Sequence, residues 1–148
     1  MRRRAVADGV RLAVGTLTII PVRPPTLVDA AAARVAMLAG WMVALAVTLP
    51  AAGLASGLVW LGVPAGASGL LAVGLLQLLT RAIHADGLAD TVDGLGASWE
   101  RERALSVMRS GDVGPMGVVA LLVVLGGQAL LVGQLAGVPW GWVVAGVA

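Results

Sequence analysis

Two long stretches without a charged side chain, residues 35–80 and 113–148, decide what this chain can become. A helix that crosses a bilayer needs about 20 mostly apolar residues, and all of its backbone polar groups must be satisfied within the segment. The first stretch has 46 residues, room for two crossings and a tight turn. The second has 36, room for one crossing and most of another. Only 12% of the residues are charged, against about 25% in soluble domains, so the expected class is an all-α integral membrane protein. Its architecture is a polytopic helical bundle formed by a single membrane domain, residues 1–148.

Turn residues divide the stretches. Gly62-Val63-Pro64 separates a span over 35–61 from one over 65–80, and Gly137-Val138-Pro139 closes a span over 118–136. An incomplete span follows over 141–148, and Ala148 falls inside an apolar run, so the sequence reads as part of a longer chain. Pro50 and Gly53 predict a kink or tilt in the first span. Trp60, Trp140 and Trp142 flank the breaks, where interfacial aromatic residues belong.

Residues 1–34 carry six Arg against two Asp, and residues 81–112 carry four Arg against six acids. Arg-rich flanks stay on the cytoplasmic side. Two crossings lie between the blocks, so both can face the cytoplasm of a multi-pass protein in a bacterial cytoplasmic membrane. The apolar run within residues 5–20 is too short to span and is closed by Pro21, Pro24 and Pro25, which predicts an interfacial helix. A signal peptide fits less well, because Arg23 and two prolines separate the run from Ala30-Ala31-Ala32. The absence of Cys excludes disulfides, iron–sulfur sites and thiol chemistry. One His excludes a His-rich metal site, and a net charge of +2 gives no reason to expect a nucleic-acid partner. A homo-oligomer is compatible with the sequence.

The chemistry is concentrated in a cytoplasmic segment, residues 81–117. Asp86, Asp90 and Asp93 are spaced i, i+4 and i+7 and share one helical face. Like charges at that spacing destabilise a helix, and a divalent cation reverses the sign of the interaction. Hard oxygen donors without Cys favour magnesium, with manganese as an alternative. Gly87, Gly94 and Gly96 weaken a helix but admit close approach. Ordinary solvated acids paired with Arg101, Arg103 and Arg109 are the plainer alternative. His84 is a candidate base or phosphate partner, or simply fills a polar slot. Arg81, at a span end, is placed to meet either lipid head groups or a substrate phosphate. After a short helix over 99–108, Arg109, Ser110 and the amides around Gly114 are candidates for anion binding, and Asp112 is a candidate fourth metal ligand. An ordinary Gly/Pro turn is the alternative there.

The run His84-Ala85-Asp86-Gly87-Leu88-Ala89-Asp90-Thr91-Val92-Asp93-Gly94-Leu95 resembles the signature of the cobalamin synthases, the adenosylcobinamide-GDP ribazoletransferases. That family's pattern is His-x-Asp-Gly-Leu-Ala-Asp-Thr-x-Asp-Gly-Leu. Met108 to Gly117 is similar to its second motif, but Ser110-Gly111-Asp112 stands where the family has Asp-Ser-Arg. The resemblance implies a magnesium-dependent transferase in the final assembly step of cobalamin biosynthesis. Such an enzyme joins adenosylcobinamide-GDP to α-ribazole or its 5′-phosphate and releases GMP. It further implies Asp86 and Asp90 as metal ligands, with Asp93 as third ligand or base. Two rival readings are a CDP-alcohol phosphotransferase-like enzyme and an ion- or proton-coupled transporter subunit. The first expects Arg where Asp90 stands. The second expects acids at mid-membrane, not beyond a span end.

Overall fold

The computed structural model describes residues 2–138, and the expected incomplete span over 141–148, with Trp140 and Trp142, lies outside them. The described elements are all helical: α1 (Arg2–Leu17), α2 (Ala30–Trp60), α3 (Ala65–Leu79), α4 (Ile83–Ala97), α5 (Arg101–Met108) and α6 (Pro115–Ala136). Helices α2 and α6 are long and apolar enough to cross a membrane. Helix α3 has 15 residues and reaches that test only together with α4, across a break of 93°.

Helix α2 starts earlier than the charge pattern alone suggests. Asp29 accepts the Ala32 amide at 2.8 Å, a side-chain N-cap that begins the helix at Ala30. The helix continues through Pro50 to Trp60, a run of 31 residues. Trp41 and Trp60 are 75% and 86% exposed. Nineteen residue steps separate them, about 28 Å along the axis, close to the thickness of a hydrocarbon core.

Helix α1 covers Arg2–Leu17 rather than the expected 5–20, for a physical reason. Past Leu17 the Ile19 amide donates to the Leu79 carbonyl at 2.8 Å, and the Ile20 amide donates to Thr18 Oγ1. Both bonds replace a further helical turn. Helix α1 packs alongside the first turns of α2. A Cβ on Gly9 would meet the Ala32 carbonyl and Val35, and Leu17 lies against Gly40. The loop back to α2 is pinned by buried Asp8, which accepts from the Thr26 amide (3.0 Å) and hydroxyl (2.6 Å) and pairs with Arg11. These bonds, the Thr26 hydroxyl first, hold the Asp8 carboxyl below its usual range.

The membrane core is built from small residues. Ala51, Ala55 and Ala72 cluster with Leu76, Val132 and Ala136. At the crossing of α3 and α6, a Cβ on Gly69 would collide with the Ala129 carbonyl, and one on Gly133 with the Ala65 carbonyl. Lipid supplies no hydrophobic drive between helices, so close backbone approach has to supply the packing. The two helices are antiparallel, which brings the start of α6 to the same end of the bundle as the end of α3.

Candidate active site

The break between α3 and α4 positions the acidic helix. Arg81 and Ala82 both adopt left-handed backbone angles, φ 55° and 53°. Such angles cost about 1–2 kcal/mol for each non-glycine residue and persist only where surroundings enforce them. Arg81 itself supplies part of that enforcement. Its Nη2 donates to the carbonyls of Gly15 (2.6 Å) and Thr18 (2.7 Å), and its Nε donates to Thr18 at 3.1 Å. The guanidinium thereby caps the C-terminus of α1 and ties it to the α3–α4 turn. The residue is nonetheless exposed, so the expected head-group or phosphate contact is not tested by these bonds.

The three aspartates of α4 meet different surroundings. Asp93 is buried and accepts two backbone bonds, from the amides of Gly114 (2.7 Å) and Gly117 (2.8 Å). These are the N-cap and third residues of α6, a helix with no side-chain cap of its own and with proline at its first position. An external carboxylate therefore fills the N-terminal anion site of α6. Close approach requires glycine at both positions, since a Cβ on either would run into the Asp93 carboxylate. Asp86 is exposed and Asp90 half-buried, and among the described residues neither side chain has a hydrogen bond or an ion pair. Both remain available as hard oxygen donors.

His84 is exposed, its side chain has no hydrogen-bond partner among the described residues, and it lies about 200° around the helix from Asp86 at 100° per residue. Helix α5 packs on α4 where Gly94 makes room for Met108. The α5–α6 loop carries Arg109, Ser110 and Asp112, all exposed, with Gly111 at φ 73°. The Ser110 hydroxyl donates to the Val107 carbonyl at 2.8 Å. The Gly114 amide, expected to face an anion, holds Asp93. Among the described residues no three His, Asp or Glu side chains gather closely enough to hold a metal ion by themselves. Magnesium does not require that: one or two carboxylates with substrate phosphates and water suffice. Asp86 and Asp90, free and one helical turn apart, fit that donor set. The sequence alone missed Gly117 and the Thr18 carbonyl as partners. The run Gly114-Pro115-Met116-Gly117, a helix start with no capping side chain, was the available signal for the first.

The profile of the family described as Cobalamin-5-phosphate synthase, CobS, matches residues 9–148, and the chain belongs to that family. An adenosylcobinamide-GDP ribazoletransferase of Nocardioides sp. is 54% identical over 129 residues, covering 86% of this chain and 56% of the relative. A protein of the same name from Bradyrhizobium diazoefficiens is 40% identical over 130 residues, covering 84% and 47%. One from Klebsiella pneumoniae is 46% identical over 76 residues, 51% of this chain and 30% of the relative. The chain thus spans about half the length of the curated relatives it matches. No solved structure matches it significantly.

Proposed function

We propose that the chain carries the phosphate-handling part of an adenosylcobinamide-GDP ribazoletransferase, which joins that corrinoid nucleotide to α-ribazole or α-ribazole 5′-phosphate. The observation that carries this reading is the pair Asp86 and Asp90, whose side chains have no partner among the described residues, on a helix held at the end of two apolar helices. In the reaction a ribose hydroxyl oxygen bonds to a diphosphate phosphorus, the bond to the GMP oxygen breaks, and the hydroxyl proton passes to a base. Asp86 and Asp90 would hold magnesium, whose chemistry when bound would be to neutralise charge on the diphosphate. Arg109, exposed in the α5–α6 loop with Ser110, meets phosphate oxygens. The base is a carboxylate of the same face or His84. The site faces the cytoplasm, since the arginine-bearing segments flank it.

The test is Asp86→Ala and Asp90→Ala in a protein of the relatives' full length, assayed for GMP release in isolated membranes. Both substitutions are expected to lower turnover by about 100-fold or more while membrane insertion is unchanged. Turnover retained in both variants contradicts the assignment. A reporter fused after Ser98 should read cytoplasmic and one after Pro64 should read external.

A further inference from the structure

The conserved chemistry of a carboxylate does not fix its task, and Asp93 differs in surroundings from Asp86 and Asp90. Both of its oxygens are engaged by amides that no other side chain among the described residues reaches, those of Gly114 and Gly117. Its side chain is buried, and the glycines that receive it leave no space for a β-carbon. Helix α6 begins with Gly114 and Pro115, so its own N-cap residue supplies no side-chain acceptor for the first-turn donors.

We propose that Asp93 is a positioning residue that caps α6 across the fold and so fixes the angle and register of α4, rather than a ligand of the metal or the base of the reaction. The consequence for catalysis is indirect. Ala89 and Asp93 lie against the start of α6, as the crowding at Gly117 shows, which sets where Asp90 and Asp86 stand about one and two turns back along α4. The same contact anchors the α5–α6 loop, because Gly114 ends it. One carboxylate thus ties together the two segments that handle phosphate. This inference rests on the reading of Asp86 and Asp90 as the cation-holding pair.

The test uses the whole chain in lipid nanodiscs, with two readouts. Hydrogen exchange at the Gly114–Gly117 amides reports the cap. Binding of Mn2+ with GDP present, followed by electron paramagnetic resonance, reports the metal. Asp93→Ala should speed exchange at those amides by about tenfold or more, and Asp93→Asn by less, because Asn keeps one acceptor. Gly117→Ala retains the Asp93 carboxylate but displaces it, and should speed exchange in the same way. Asp86→Asn and Asp90→Asn should leave exchange unchanged and weaken Mn2+ binding by about tenfold or more, whereas Asp93→Asn should change it by less than about threefold. Unchanged exchange in Asp93→Ala overturns the proposal, and so does a loss of Mn2+ in Asp93→Asn equal to that in Asp86→Asn. If the unsubstituted protein binds no Mn2+, the reading of the acid pair fails while the exchange result still decides the cap.

Discussion

The two halves of α4 carry the same residue type on the same face and use it in opposite ways. Toward the C-terminus, Asp93 is buried, doubly bonded and surrounded by glycines that exist to admit it. Toward the N-terminus, the side chains of Asp86 and Asp90 have no partner among the described residues. A carboxylate whose lone pairs are already spent on backbone amides stabilises the fold. One that is left unspent, beside another of like charge, keeps its lone pairs open, which is what the proposed cation site requires. The division follows from which half of the helix reaches the base of α6.

The sharpest way to break this contrast is Asp93→Ala. It removes two charge-assisted bonds and leaves two donors at a helix start, and is expected to lower unfolding stability by about 3 kcal/mol. Gly117→Ala should cost about 1–3 kcal/mol by forcing a methyl group against the carboxylate and the Ala89 carbonyl. Arg81→Ala frees the end of α1 from the α3–α4 turn, and because the residue is exposed the expected loss is only about 1 kcal/mol. Asp86→Ala should fall within about 0.5 kcal/mol of the unsubstituted protein. Each is read from chemical or thermal unfolding in one detergent. The smallest effect concerns Asp8. Its carboxyl lies below the ordinary value of 3.8, so its contribution is present above that pH and is lost as pH falls through the lower folded value. The difference in unfolding temperature between the unsubstituted protein and Asp8→Asn should therefore narrow only below about pH 3.8.

Much of this arrangement was legible in the residues. Charge-free stretches placed α2, α3 and α6, and the spacing of the aspartates placed them on one helical face. What periodicity could not supply was the partner of each acid. Asp93 finds its donors 21 and 24 residues further on, and nothing local distinguishes it from Asp90. Arg81 finds its acceptors 63 and 66 residues back. The right-angled turn rests on an arginine and an alanine at positive φ, residues that carry no turn signal. The extent of α1 was likewise set from outside, by the Leu79 carbonyl that takes the Ile19 amide.

Whether Asp86 and Asp90 await a cation is best settled by titrating Mn2+ into the unsubstituted protein, followed by electron paramagnetic resonance, with and without adenosylcobinamide-GDP. A bound ion that appears with the diphosphate, and disappears in Asp86→Ala and Asp90→Ala alike, is the expected result. No bound ion under either condition, with the protein folded, would contradict it.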